Sequence, residues 1–387
     1  MKRLLLLFFA ATWCYAADAW LRHTDVFRSG EAGYHTYRIP AIVETADGAL
    51  LAFAEARKES RGDPGSGDID LVVKRSQDRG ATWSAVVVVD DPGEKWAASN
   101  PTPVLDRSNG RVWIAFNRWR PGKGTFESRP GTDDNQTWLR FSDDNGRSWS
   151  EARDITREAR DFDHWGAMFL GPGGAIQTKS GRLLLPAARC PEVCNVMAAA
   201  TGWRGSLHLM QAYAIYSDNH GATWKRGELL PALTDENQLV ELADGTVMMD
   251  ARQGDGDRRW VAISQDGGLH WQKPLPGQLV SPVATSIERY SLKSAGADRD
   301  RLLWTGILGP GRKHLVVRVS YDEGQTWMNE RTIYGGLAAY SDLLVLQDGT
   351  VGVLWERGVT ALSQYITFSR FNREFLEPPA AVVPEFR

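Results

Sequence analysis

Ser76-Gln-Asp78-Arg-Gly80-Ala-Thr82-Trp83 is the stretch from which the fold can be read. Asp accepts hydrogen bonds from the backbone that follows it, Gly supplies a φ > 0 position, and the Ser and Thr hydroxyls can tie the two arms. The centre of the octapeptide therefore reads as a hairpin turn with Trp83 packed beneath it. The pattern returns as Ser142-Asp-Asp144-Asn-Gly146-Arg-Ser148-Trp149, Ser217-Asp-Asn219-His-Gly221-Ala-Thr223-Trp224, Ser264-Gln-Asp266-Gly-Gly268-Leu-His270-Trp271 and Ser320-Tyr-Asp322-Glu-Gly324-Gln-Thr326-Trp327. Asn219 replaces Asp in the third copy and His270 replaces Thr in the fourth, changes that a turn tolerates. Apolar alternating stretches precede the copies, such as Ile69-Asp-Leu71-Val-Val73, Ala212-Tyr-Ala214-Ile-Tyr216 and Leu315-Val-Val-Arg-Val319, and read as strands.

Successive copies start 66, 75, 47 and 56 residues apart, room for about four short strands and their loops. A chain of 387 residues holds about six such units. The expected fold is all-β, a six-bladed β-propeller forming one domain over residues 20–387. Asp47-Gly48, Asp244-Gly245 and Asp348-Gly349 are each followed by apolar sequence and predict inner hairpins. One helical stretch is expected, near Ile155 to Arg160. The repeat Asp residues are read as folding devices at the outer rim, because a propeller takes its ligands at the mouth of its central channel.

Composition narrows the function. With 24% charged and 42% hydrophobic residues the signature of disorder is missing, and a net charge of −3 excludes general nucleic-acid binding, which rests on a basic field. Lys2 and Arg3, the apolar run Leu4 to Ala11 and the small residues Ala16, Ala17 and Ala19 have the layout of a secretory signal peptide over residues 1–19. Export is expected, to a periplasm, the extracellular space or a lysosomal lumen. The apolar run is too short to span a bilayer, and no membrane span is expected. Export also favours a small disulfide loop between Cys190 and Cys194 over a metal site. The bias to Arg, 35 against 10 Lys, suits bidentate recognition of a small acid.

The repeats resemble the Asp boxes of the sialidase (neuraminidase) superfamily, and Tyr37-Arg38-Ile39-Pro40, ahead of the first box, resembles its N-terminal signature. The resemblance spans nearly the whole chain from about Trp20. It implies an arginine triad for the substrate carboxylate: Arg38, then Arg252 in Asp250-Ala-Arg252, then Arg312 in Gly309-Pro-Gly-Arg312, preferred to Arg318 inside the following strand. It implies Tyr340, in Ala338-Ala-Tyr340-Ser-Asp342, as nucleophile rather than Tyr334, and Glu236, in Thr234-Asp-Glu236-Asn-Gln, as its base rather than Glu241. Asp63, in the Gly- and Pro-rich run Arg61-Gly-Asp63-Pro-Gly-Ser-Gly67, would be the acid on a mobile loop, with Asp68 and Asp70 as competitors. Arg57 would contact ring substituents, and Glu356 would brace Arg38. Asn100 would contact the sugar near its 4-hydroxyl or serve a turn. The segment Asp161 to Trp165 would give an aromatic wall or simply pack in the core, and His35 and His164 are ordinary.

The chemistry explains these residue types. Three guanidinium groups hold a carboxylate through charge-assisted bonds. A carboxylate nucleophile would be repelled by the substrate's own acid, so a phenol attacks instead, and its pKa near ~10 demands an adjacent base. Leaving-group protonation needs an acid that keeps its proton near working pH. The implied activity is a retaining exo-α-sialidase acting on sialylated glycans, without cofactor or metal. Sialyl transfer, hydrolysis of a deaminated nonulosonic acid, and a noncatalytic sialoglycan-binding propeller are the alternatives.

Overall fold

The computed structural model describes residues 18–191, 209–253 and 256–378. Its strands fall into antiparallel sets. β1 (Leu21–Arg28) belongs to the last of them. β2 (Thr36–Glu44), β3 (Leu50–Arg57), β4 (Ile69–Ser76) and β5 (Val87–Asp90) form one ladder. β6 (Ala97–Asp106), β7 (Arg111–Trp119), β8 (Asn135–Ser142) and β9 (Arg153–Asp154) form the next. A third is made of β10 (Trp165–Leu170), β11 (Ile176–Gln177), β12 (Leu183–Pro191), β13 (Gln211–Ser217) and β14 (Lys225–Arg226). A fourth is made of β15 (Asn237–Glu241), β16 (Val247–Arg252), β17 (Arg258–Ser264) and β18 (Leu275–Leu279).

Then β19 (Ser286–Ser291), β20 (Arg301–Ile307) and β21 (Lys313–Ser320) lead into the 18-residue β22 (Met328–Val345). The first half of β22 pairs with β21 and its second half with β23 (Val351–Arg357), which pairs with β24 (Tyr365–Phe371). β1 completes this last ladder from the other end of the chain, with Leu21 opposite Phe371 and Arg28 opposite Tyr365. Trp20 N donates to Asn372 Oδ1 at 3.0 Å beside it.

Apolar faces of neighbouring ladders pack together around the molecule. Leu51 and Phe53 meet Ile114 and Phe116, Val104 and Trp113 meet Leu185 and Ile215, and Leu184 and Ala214 meet Leu239 and Met249. The sequence of contacts continues through Val240, Met248 and Trp304 and through Val317, Val319 and Trp355. It returns to its start where Leu354 and Phe368 meet Phe27 and Leu50. Burial at ~25 cal/mol per Å2 of apolar surface makes these interfaces the main stabilising contribution.

The five repeats are turns, as their residues predict. In each the glycine N–H donates to the serine Oγ at 2.8 Å. In the first, Ser76 Oγ donates to Asp78 Oδ1 at 2.8 Å, and Thr82 donates to Asp78 through N at 2.9 Å and through Oγ1 at 2.6 Å. Asn219 keeps the geometry by donating from Nδ2 to Thr223 Oγ1, and His270 by bonding Asp266 through Nδ1. Each glycine has positive φ, and at Gly80, Gly146 and Gly221 a Cβ would also clash with the neighbouring ladder. At Gly80 φ is 84°, and a Cβ there would lie 2.2 Å from the Phe368 ring. The tryptophans pack onto the neighbouring ladder, Trp83 edge-on to Phe368 and Trp149 edge-on to Phe53.

Asp47-Gly48, Asp244-Gly245 and Asp348-Gly349 turn the hairpins β2–β3, β15–β16 and β22–β23. The expected helix is the single turn α1 (Thr156–Ala159). A second turn, α2 (Arg373–Leu376), and a 3-10 turn at Lys293–Ala295 were not expected. Cys190 is disulfide-bonded, while Cys194 lies outside the described residues, as do residues 1–17 of the expected signal peptide. No helix among the described residues is long and apolar enough to cross a membrane.

Where the ladders converge, Asp342 of β22 ties three elements together. It accepts from Ile42 N at 2.8 Å, Gly174 N at 3.0 Å and Ser286 Oγ at 3.1 Å. Burial pushes its carboxyl up to about 6, and burial pushes that of Glu288 in β19 up to about 7. Glu288 lines a cavity of about 590 Å3 with Val43, Arg107, Val240 and Leu343, at one end of β2, β6, β15 and β22.

Candidate active site

The other end of the same strands opens on a cavity of about 760 Å3. Three of them are bulged where they reach it. The register shifts in β2 between Arg38 and Ala41, in β6 between Ser99 and Thr102, and in β22 between Ala338 and Ser341. Bulges re-aim side chains, and here they accompany positive φ at Ile39 (56°) and Asn100 (53°). A β-branched residue adopts that conformation only when its surroundings enforce it. Ile39 is enforced by its N–H, which donates to Glu356 Oε1 at 3.0 Å. The Arg-Ile-Pro motif is thus the backbone device that turns Arg38 inward.

Tyr340 lies at the floor, 7% exposed. Its phenol donates a short hydrogen bond to Glu236 Oε1, and Arg252 Nη1 donates to the phenol oxygen at 3.3 Å and to Glu236 Oε2. The guanidinium carbons of Arg38 and Arg312 stand 5.5 and 5.4 Å from the Tyr340 ring centre. The structure therefore gathers Arg38, Arg252, Arg312, Glu236 and Tyr340 into one pit. Glu236 and Arg252 face each other because their strands are joined there, with Arg252 N donating to Glu236 O at 2.8 Å.

Glu356 binds Arg38 from behind, with Nε to Oε1 at 3.0 Å and Nη2 to Oε2 at 3.3 Å. Burial works against charge on Glu356, but Arg38 outweighs it and holds the carboxyl below its usual range. Burial likewise disfavours charge on Arg38 and Arg252, and the facing carboxylates, Glu356 first for one and Glu236 first for the other, hold both above the usual guanidinium range. Burial and then the Glu236 charge push the Tyr340 phenol up, against the pull of Arg252, Arg312 and Arg38. The proton therefore stays on the phenol.

Asp63 reaches the rim of the pit. Its Oδ1 accepts from Arg57 Nη1 at 3.0 Å and from Arg38 Nη1 at 3.2 Å. Its side chain is 78% exposed and lines the cavity. The surrounding protein penalises a charge there, but Arg57 and Arg38 outweigh that and hold the carboxyl below its usual range. This departs from the expectation of a retained proton. The expected mobile loop is also tied down: Arg57 Nη1 grips Arg61 O at 2.5 Å and Gly62 O at 2.8 Å.

Arg57 lines the cavity, as expected. It is 1% exposed, and its Nε and Nη2 are taken by Glu55 Oε2 at 3.0 and 2.6 Å, so its guanidinium is committed to protein partners. Asn100 lines the cavity, but its Nδ2 donates to Leu170 O at 2.7 Å, and its backbone N–H donates to Glu55 Oε1 at 3.0 Å. Trp165 is in the core, edge-on to Tyr213 at 5.3 Å, and the segment from Asp161 gives the cavity no wall.

The rivals are engaged elsewhere. Arg318 pairs with Glu330, Tyr334 donates to Gly358 O, and Glu241 accepts from Lys179 N. Asp68 and Asp70 hold the Lys58 ammonium at 2.8 and 2.9 Å, with Asp91 at 3.8 Å, so the cation of this acidic group is a lysine. His35 bonds the Thr36 hydroxyl and His164 the Asp161 carboxylate.

Sequence reasoning missed several residues at the cavity. Phe126, Phe169 and Met210 supply its apolar wall. Glu55 was signalled by its place two residues before Arg57 in an otherwise apolar strand, the pattern of a buried ion pair. Asp235 gave no signal. It lines the cavity beside Glu236, its Oδ2 3.7 Å from Arg252 Nε, and burial pushes its carboxyl up to about 6.

Comparison with known proteins adds to this geometry. A family model described as a BNR repeat-like domain matches residues 48–353. The chain is 33% identical over 369 residues to a sialidase of Micromonospora viridifaciens, covering 91% of this chain and 54% of that protein. It is 31% identical over 410 residues to sialidase-3 of Homo sapiens, covering 92% and 93%. A solved Hadza microbial sialidase matches with TM-score 0.78 at 26% identity, over 89% of this chain and 67% of that one. The chain thus spans about half the length of the Micromonospora relative.

Proposed function

The chain belongs to the sialidase superfamily, and from that premise we propose that it is a retaining exo-α-sialidase built as a single six-bladed propeller over residues 20–387, exported behind its signal peptide. The six units are the four ladders from β2 to β18, a fifth from β19 to the first half of β22, and a sixth from the second half of β22 through β24 to β1. The observation that carries the reading is one phenol, Tyr340, lying between a carboxylate and three guanidinium groups.

A sialoside carries its acid on the anomeric carbon. Arg38, Arg252 and Arg312 grip that carboxylate and place the carbon over Tyr340. The phenol oxygen attacks, its proton passing to Glu236 Oε1 as the carbon–oxygen bond forms. The glycosidic bond breaks with its electron pair on the leaving oxygen, which takes a proton from Asp63. The substrate carboxylate prepares that step, because it takes up part of the charge of Arg38 that otherwise holds Asp63 ionised. Water then gives its proton to Asp63 and attacks the same carbon from the vacated face. The phenolate departs, recovers its proton from Glu236, and the sugar leaves with its configuration retained.

The substrates are sialylated glycans. The test is release of fluorophore from an aryl α-sialoside, alone and with a galactoside acceptor. Free sialic acid is the expected product, whereas a new sialoside would mark a transferase. Tyr340→Phe is expected to lower kcat by about a thousandfold or more while a nonreacting sialic acid analogue still binds. An unchanged kcat would sink the assignment of the nucleophile.

A further inference from the structure

The loop that carries Asp63 is closed at its neck by Lys58 N donating to Asp68 O at 3.0 Å. Within it, Ser66 donates to Asp63 O from N at 3.1 Å and from Oγ at 2.5 Å. These bonds fix the loop's shape and leave its height above the pit undetermined. Besides the bonds of Asp63 Oδ1 to Arg57 and Arg38, two outside contacts set that height. One is the grip of Arg57 on Arg61 O and Gly62 O. The other is a bare backbone contact between Pro64-Gly65 and Lys123-Gly124.

That second contact is unusually close. A Cβ on Gly65 would lie 2.7 Å from Lys123 C and 2.9 Å from Gly124 N, and a Cβ on Gly124 would lie 2.7 Å from Pro64 O. No hydrogen bond joins the two segments among the described residues, so only shape holds them. The Gly124 side is firm. Its N–H donates to Glu127 Oε2 at 3.0 Å, and its carbonyl accepts from Ser128 N at 3.2 Å and from Ser128 Oγ at 2.8 Å. Ser128 is itself buried. One turn is therefore a fixed seat, and the loop bearing the carboxylate rests on it.

We propose that Gly124, facing Gly65, is a positioning residue that sets the height of Asp63 over the anomeric carbon, a seat that exists only while both positions lack a side chain. The proposal rests on the reading of Asp63 as the acid. A methyl group on Gly124 would lie 2.9 Å from Glu127 Oε2, a side-chain end that can swing aside, and 2.7 Å from the Pro64 carbonyl oxygen, which as backbone must move and carry the adjacent Asp63 with it. Proton transfer needs heavy atoms within hydrogen-bond reach, and a shift on the order of 1 Å costs about a hundredfold. Attack by Tyr340 and capture by Arg252 and Arg312 involve other elements, and Arg38, although it bonds Asp63, keeps its two bonds to Glu356. The signature is therefore selective for the leaving group, since a sugar alcohol needs the proton and a phenol scarcely does.

Gly124→Ala is the cleaner probe, because Gly65 has φ +95°, where any side chain adds strain, and Gly124 does not lie in that region. The experiment compares kcat/KM for sialyllactose and for an aryl α-sialoside in the wild type, Gly124→Ala and Asp63→Ala. Gly124→Ala is expected to slow sialyllactose by about ten- to a hundredfold and the aryl substrate by less than about threefold, with the unfolding temperature and binding of a nonreacting analogue unchanged. Asp63→Ala should show the same selectivity more strongly.

Equal losses on both substrates, or no loss on either, would overturn the positioning role while leaving Asp63 as the acid if Asp63→Ala remains selective. An Asp63→Ala variant that slows both substrates alike removes the acid assignment itself. Should Gly124→Ala fail to fold, Glu127→Ala loosens the seat by removing the acceptor for Gly124 N. It is expected to show the same selectivity at smaller size, and equal losses on the two substrates count against the proposal there too.

Discussion

Asp78 and Arg38 are both charged side chains satisfied by protein partners, one on the exposed repeat turn and one in the pit, and they are satisfied in opposite ways. Asp78 finds its partners within four residues, in Ser76 and Thr82. Arg38 finds Glu356 318 residues away, and Tyr340 finds Glu236 104 residues away. The turn is local, solvated and present five times. The pit exists once and only after the chain has closed around it. Removing a member of the first kind costs one exposed hydrogen bond, whereas removing a member of the second leaves a charge buried without its counterpart.

The sharpest way to break this contrast is Glu356→Ala. It leaves the 9% exposed Arg38 without its carboxylate and should cost about 3–5 kcal/mol in a denaturant melt, together with a large rise in KM. A loss below about 1 kcal/mol would mean that the pit behaves like the rim.

Next in size is a pH effect confined to the centre. Glu288 is held neutral in the fold up to about 7 but ionises in the unfolded chain near its ordinary value of 4.5. Stability therefore falls as pH rises between those two values, by on the order of 3 kcal/mol. Glu288→Gln should raise the unfolding temperature by a few degrees at pH 8 and leave it unchanged at pH 4. Asp144 in the second repeat has the opposite sign. Its hydrogen bonds, that from Ser148 foremost, hold it at about 2, so its contribution is complete above 3.8 and constant between pH 5 and 8.

The smaller effects belong to the turns. Asp322→Ala, which removes the acceptor for Thr326 N and Oγ1, should cost about 1 kcal/mol and leave KM for an aryl sialoside unchanged. Asn219→Asp restores the commoner residue where Asn already bonds Thr223 through both N and Oγ1, and should shift stability by no more than a few tenths of a kcal/mol.

The same contrast governs what the sequence discloses. The repeat turns, the Asp-Gly hairpins and the strands before them are legible because each is specified by residues that touch their own neighbours. Residues of the pit were reachable only through resemblance to a family, since nothing local in Tyr340 or Arg312 tells of the other. Where the sequence left alternatives open, the face a strand presents decided between them. Trp165 and Phe169 share β10, but the register slips between Trp165 and Ala167, so Trp165 turns to Tyr213 and Phe169 to the cavity. Arg57 lines the cavity, but that Glu55 takes its Nε and Nη2 could not be read from the sequence. No alternation pattern reveals a bulge in advance.

The pairing of β1 with β24 has a mechanical consequence. Leu21 and Phe371, the outermost residues of that antiparallel pair, lie side by side, so a pull applied to the two strand ends loads the hydrogen bonds one after another. A fold joined in this way resists heat through its whole interior but opens under tension like a zip, from Leu21 inward, at a force set by single bonds rather than by the sheet.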